Sequence, residues 1–107
     1  MLDWMEHFYI DSSIQNPQKV KEKLDKGRPV VGIYLLTRPA NDEDMLEMIS
    51  AVSLVQKGLY SRCPQIIAMA KSRERAIEIL RELTEASYKK HGTVNLQGII
   101  ECIRENR

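Results

Sequence analysis

Residues 64–92, PQIIAMAKSRERAIEILRELTEASYKKHG, decide the fold, because they predict a strand, a tight turn and one long amphipathic helix. The predicted strand covers residues 65–70 behind a proline, and its unbroken apolar run over residues 66–69 suits a strand covered on both faces. Ser72 is placed to cap the helix N-terminus, and Gly92 to end the helix in the left-handed conformation. Apolar residues between them recur at helical spacing: Ala76, Ile79, Leu80, Leu83 and Ala86. The upstream chain is therefore expected to supply a sheet for this helix.

The turn that opens this helix is rich in cations at an end where positive charge is unfavourable. Because the first N–H groups of a helix are free, one hypothesis is a site for a small phosphate-bearing anion, formed by Lys71, Ser72, Arg73 and Arg75. The alternative is that these side chains extend into water and pair with Glu74 and Glu78. The turn has no glycine and no GxxxxGK[ST] pattern, so a nucleotide-binding loop is not supported.

Length and charge favour one ordinary globular domain spanning residues 1–107. The 16 basic and 15 acidic residues are interspersed and leave a net charge of +1, which argues against nucleic acid as a partner. No apolar run approaches the ~20 residues of a membrane span, and the first ten residues do not resemble a signal peptide. We expect a cytoplasmic protein that does not contact the membrane.

Side chains that carry chemistry are scattered along the chain. The acid–base candidates share no recognised spacing: His7, Asp11, Glu47 and His91. Cys63 and Cys102 lack a second ligand at metal spacing, and in a reducing compartment we expect both to be free thiols. Cys63 follows Arg62, which favours a lowered thiol pKa at that position. No catalytic residue, metal or cofactor is predicted, and an enzyme is disfavoured.

The first half of the chain predicts two strands and a surface helix. Residues 4–10 are rich in aromatic side chains and predict a first strand. A helix follows, with Asn16 as its N-cap and Gly27 as its stop. Residues 29–37, PVVGIYLLT, predict a central strand in which Gly32 marks a bulge or a close backbone approach. The helix presents a solvated group of lysines: Lys19, Lys21, Lys23 and Lys26.

Residues 42–59 have two interpretations. Helix propensity favours one helix with an acidic start, whereas a strand over residues 44–49 would return antiparallel to the central strand and precede a short helix. The segments GIYLLTRPANDEDMLEMISAVSLVQ, PQIIAMAKSRERAIEIL and YKKHGTVNLQGII resemble a group of small bacterial proteins that have no assigned activity. This resemblance covers residues 29–103 and implies the strand. It transfers no functional residue to this chain.

These elements predict an α+β domain whose four-stranded mixed sheet is backed by helices, in the order β-α-β-β-(α)-β-α-α, with a final helix capped by Asn95. Ferredoxin-like connectivity is one instance of this order. The alternative is a small α/β domain with a parallel three-stranded sheet, which would follow if residues 42–57 formed one helix.

The leading functional hypothesis is a small non-enzymatic interaction or regulatory protein that self-associates as a dimer or binds an unidentified protein partner. It is motivated by apolar residues in excess of what the first helix, with only Val20 and Leu24 facing inward, can cover. Those residues are Met1, Leu2, Trp4, Met5, Met45, Met48 and Leu59. The alternatives are that they complete the core of the monomer, and that the protein binds a small anion at the turn.

Overall fold

The structure is a computed structural model that describes residues 2–28, 30–39, 46–56, 63–92 and 96–105. Its elements in chain order are β1 (Trp4–Ile10), α1 (Pro17–Asp25), β2 (Tyr34–Thr37), β3 (Glu47–Ser50), α2 (Ala51–Gln56), β4 (Ile66–Ala70), α3 (Arg73–His91) and α4 (Leu96–Glu105). The predicted α+β class with a four-stranded mixed sheet is confirmed.

The strands are arranged in the order β1-β4-β2-β3. β1 is parallel to β4, whereas β2 is antiparallel to both β4 and β3. The element order includes the β-α-β-β-α-β series of ferredoxin-like domains, but strand order alone does not assign the domain to that class. β4 is therefore an inner strand that joins the N-terminal strand to the β2–β3 hairpin.

Each face of the sheet is covered by two helices. One apolar cluster joins the sheet to α3 and α4, and includes Ile79, Leu83, Ile99 and Ile103. The other joins it to α1 and α2 through Leu24 and Leu54. In β2 the neighbouring residues Leu35 and Leu36 belong to opposite clusters, as the two-residue period of a strand requires.

The strand β4 is buried over its whole length, which confirms the prediction of a strand covered on both faces. Ile66 and Met69 pack into the α1–α2 cluster, while Ile67 and Ala68 both pack into the α3–α4 cluster. Two successive residues face the same side because the β2–β4 register shifts between Leu36 and Thr37. Such a shift is typical of a β-bulge.

The long helix α3 has the predicted ends. The Ser72 hydroxyl accepts a hydrogen bond from the Arg75 N–H at 3.1 Å. Gly92 adopts φ 71° and donates its N–H to the Tyr88 carbonyl at 2.8 Å. These contacts are an N-cap and a left-handed C-cap.

The first helix α1 is attached to the N-terminal strand by one carboxylate. Asp25 accepts hydrogen bonds from the Trp4 indole N–H at 2.7 Å and from the Leu2 main-chain N–H at 3.1 Å. The Lys21 ammonium lies 5.5 Å from the centre of the Trp4 ring, within cation–π range. Asn16 precedes the helix, as predicted, but adopts a left-handed conformation with φ 55° and makes no side-chain cap.

Two predicted elements differ in extent. The strand expected over residues 29–37 begins only at Tyr34, because Gly32 adopts φ 85° within a turn. The strand implied for residues 44–49 is present as Glu47–Ser50, followed directly by a short helix. Residues 42–45, like the predicted cap Asn95, lie outside the described residues. Within the part of the chain that the structure describes, no helix combines the length and apolarity needed to cross a membrane.

Replacing Ser72 by alanine removes the acceptor that caps α3, so we expect Ser72→Ala to lower the free energy of unfolding by about 1 kcal/mol. Ser72→Asp retains an acceptor and adds a negative charge beside Lys71 and Arg73, so it should be at least as stable as the parent. Urea denaturation measures both. A Ser72→Ala protein as stable as the parent would contradict the cap.

Candidate functional site

The carboxyl ends of β1 and β4 lie side by side because the two strands are parallel. Asp11 directly follows β1, and Lys71 directly follows β4. The Asp11 main-chain N–H donates to the Met69 carbonyl at 2.9 Å, so the pairing continues one residue beyond the strand. This edge of an open sheet is where ligands commonly bind in domains with parallel strands.

Asp11 is the centre of this edge, and its side chain is completely buried. Its Oδ1 accepts from the Ser13 main-chain N–H at 3.1 Å and from Arg75 Nε at 3.3 Å. Its Oδ2 accepts from the Lys71 main-chain N–H at 3.1 Å. One carboxylate therefore joins the end of β1, the end of β4 and the first turn of α3.

Burial of the Asp11 carboxyl opposes ionisation and on its own would raise the pKa. The hydrogen bonds from the Ser13 and Lys71 N–H groups, together with the charge and hydrogen bond of Arg75, outweigh that effect. The pKa of Asp11 therefore lies below its ordinary value, and the residue is a carboxylate at neutral pH. An ionised group that already accepts three hydrogen bonds is a structural anchor rather than a general base.

The residues of the predicted anion site occupy different environments. Ser72 caps α3, and Arg75 pairs with both Asp11 and Glu78, which agrees for Arg75 with the alternative of pairing within the helix. The side chains of Lys71 and Arg73 form no ion pair with any residue that the structure describes. The anion site stays a prediction. Lys71 and Arg73 are the two cations of that site that have no ion-pair partner among the described residues.

A cavity of about 300 Å³ lies beside this turn. Its walls come from Ile14 and Gln15 after β1, Val20 of α1, residues 30–33 before β2, and Lys71. Most of these side chains are aliphatic, and Lys71 is the charged residue among them. The sequence did not indicate this cavity, because residues from separate parts of the chain form it.

The other acid–base candidates are not brought together. His7 lies on β1 and Glu47 on β3, at opposite edges of the sheet, so three strand spacings of about 4.8 Å separate their strands. The His7 side chain is 60% exposed and lies 3.6 Å from a Glu6 carboxylate oxygen. The His91 side chain lies outside what the structure describes. Among the described residues, no group of three or more His, Cys, Asp or Glu side chains is placed to hold a metal ion.

Both cysteines are free thiols, as predicted. Burial, reinforced by the negative charge of Asp3, raises the pKa of Cys63. Its thiol also donates to the Pro64 carbonyl at 3.3 Å. The expectation of a lowered pKa is therefore wrong for Cys63, because desolvation and a nearby carboxylate both disfavour the thiolate. Cys102 is buried in α4.

Comparison with known proteins finds no match, whether among family models, curated proteins or solved structures. The resemblance to small bacterial proteins stays a prediction.

The Asp11 carboxylate accepts hydrogen bonds from Lys71 and Arg75, which are distant from it in the sequence. Asp11→Ala removes this acceptor, so we expect it to lower the free energy of unfolding by about 3 kcal/mol. Asp11→Asn keeps one carbonyl oxygen as an acceptor and should cost less. Chemical denaturation at pH 7 measures both variants. A loss below about 0.5 kcal/mol for Asp11→Ala would contradict the role of the carboxylate as an anchor.

The same carboxylate gives the stability a pH dependence of known sign. Since the native pKa of Asp11 is lowered, its contribution is complete above the unfolded value of 3.8 and is lost as the pH falls through the native pKa. The stability difference between the parent and Asp11→Asn should be constant near neutral pH and shrink below about pH 4. A difference that stays constant down to pH 2.5 would contradict this assignment.

Proposed function

We propose that this protein is a small non-enzymatic interaction protein that self-associates as a dimer through the outward face of α3. The observation that carries the proposal is the exposure of two large apolar side chains on that face. Ile77 is 40% exposed and Tyr88 is 62% exposed. They are eleven residues apart, close to three helical turns, so they lie on one line along the helix.

The face that contains these residues, here called the α3 stripe, consists of Ile77, Arg81, Thr84, Glu85 and Tyr88. The Thr84 hydroxyl donates to the Leu80 carbonyl at 2.7 Å, so its hydrogen-bonding capacity is used within the helix. Arg81 and Glu85 form no ion pair with another residue among those described. The stripe thus combines apolar ends with two unpaired opposite charges.

Two copies of the α3 stripe are complementary when they pack antiparallel about a two-fold axis. This axis crosses the stripe at the height of residue 83 along the helix. Arg81 and Glu85 lie two residues on either side of that axis, so each Arg81 faces a Glu85 of the second copy. Ile77 lies about 9 Å before the axis and Tyr88 about 7.5 Å after it, so each Ile77 meets a Tyr88. Such a self-complementary surface is what a two-fold dimer requires.

The apolar surplus noted in the sequence supports this proposal less than the stripe does. Leu2 and Met5 are buried within the monomer, and Trp4 is half-buried against α1. Among the described members of that surplus, Met48 on the edge strand β3 is the exposed one, at 37%. Met1, Met45 and Leu59 lie outside the described residues. Edge pairing through β3 is therefore the competing route to a dimer.

Charge reversal on the stripe tests the proposed interface. Arg81→Glu and Glu85→Arg each place like charges opposite one another twice per dimer, so each should raise the dimer dissociation constant roughly ten-fold. An equimolar mixture of the two variants restores both opposite-charge pairs and should form a mixed dimer. Sedimentation velocity at about 5–500 µM protein measures these masses, since one helix pair buries an area at the low end of stable interfaces.

The matched control is Met48→Lys, which places a charge on the β3 edge and leaves α3 unchanged. We expect it to dimerise like the parent. A parent that has the mass of one chain at every concentration would remove the dimer claim. Dissociation by Met48→Lys with no effect of Arg81→Glu would move the interface to the sheet edge.

The second candidate is binding of a small phosphate-bearing anion at the turn that opens α3. The unpaired ammonium of Lys71 and guanidinium of Arg73 favour it, as noted above. Inorganic phosphate should then raise the melting temperature by several degrees, and a Lys71→Ala, Arg73→Ala double variant should not respond. An equal response of parent and double variant would reject this site.

A further inference from the structure

We propose that the cavity beside Lys71 binds a small carboxylate that carries a short apolar chain. This assignment is independent of the dimer, because the cavity lies on the α1 side of the sheet and none of the α3 side chains that the structure describes lines it. It shares Lys71 with the proposed phosphate site at the turn and differs from that site in its other residues, since Arg73 and Arg75 are not part of the cavity wall.

The charge of the wall selects an anion. Lys71 is the charged side chain of the cavity wall, and its ammonium makes no ion pair with a described residue. The nearby carboxylate is Asp11, which accepts from the Lys71 main-chain N–H. Asp11 pairs with Arg75, so its carboxylate has an ion-pair partner other than the Lys71 ammonium.

The rest of the wall selects an apolar body. Ile14, Val20, Val30 and Ile33 surround the cavity with aliphatic groups, and Gln15 adds an amide. A phosphate dianion needs several donors to replace its hydration, whereas one ammonium suffices to pair a carboxylate. An aliphatic chain on that carboxylate would remove the exposed parts of these side chains from water.

The volume limits the size of the ligand. A space of about 300 Å³ is at the lower end of small-molecule sites and equals the share of liquid volume of roughly ten water molecules. Hexanoate, a six-carbon monocarboxylate, fits that limit. A ligand of this size in an open site is expected to bind with a dissociation constant on the order of 1 mM.

The test is a titration of the full chain with hexanoate, hexanamide and inorganic phosphate, followed by amide chemical shifts in two-dimensional NMR. Hexanoate should shift the amides of Gln15, Val20, Gly32 and Lys71 at saturation. Hexanamide, which lacks the charge, should bind at least ten-fold more weakly. Phosphate should leave the amides of Gln15, Val20 and Gly32 unmoved, because these residues lie outside the turn that opens α3.

Two glutamine variants separate the cavity from the turn. Lys71→Gln keeps most of the side-chain length without the charge, and should weaken hexanoate binding about ten-fold while leaving hexanamide binding unchanged. Arg73→Gln removes a neighbouring cation that is not in the wall, and should bind hexanoate like the parent. The proposal is overturned if hexanoate and hexanamide bind equally, if Arg73→Gln weakens hexanoate as much as Lys71→Gln, or if hexanoate shifts no cavity amide.

Discussion

A carboxylate that is wholly buried must have its charge compensated by neighbouring groups. Asp11 obtains that compensation from the residues that follow β1 and β4 and from the first turn of α3. Residues 11 and 71 are sixty positions apart, yet a main-chain N–H of one binds the side chain of the other. Arg75 adds the opposite charge from the first turn of α3. The start of α3, the end of β4 and the end of β1 are thus held in one arrangement, and the cavity wall formed by Lys71 depends on it.

The segment from β4 to α3 was the most predictable part of the fold, because its signals are local. An unbroken apolar run, a serine at the N-cap and a glycine at the end act over a few residues, and each is found where the pattern placed it. The strand ending at Thr37 was predicted too long, since a glycine inside an apolar run does not reveal the sign of its φ angle. Helix propensity alone misassigned Glu47–Ser50, where pairing with β2 outweighs the preference of Glu and Met for helix.

The candidate site was less predictable because its contacts are not local. Asp11 reads in the sequence as a strand breaker followed by two serines, and the Ser13 contact is the short-range turn that such a pattern indicates. Its bonds to Lys71 and Arg75 depend on β1 lying beside β4, which no spacing reveals. The same holds for the cations of the turn: their residue types suggested a site, but only the packing distinguishes Arg75, which is paired, from Lys71 and Arg73, which are not.

The parallel pairing of β1 with β4 also constrains how the chain reaches its native state. Trp4 pairs with Ile66, so the two strands that meet here are far apart in the sequence. The β2–β3 hairpin and α3 close over short separations, whereas this pairing closes the longest loop in the sheet and raises the contact order, which slows folding. β1 precedes β4 in the chain and cannot form this pair until β4 has been synthesised. The rings of Trp4 and Phe8, which lie 4.9 Å apart in the native state, belong to this strand. β1 is thus the strand of the sheet whose native pairing depends entirely on a distant segment.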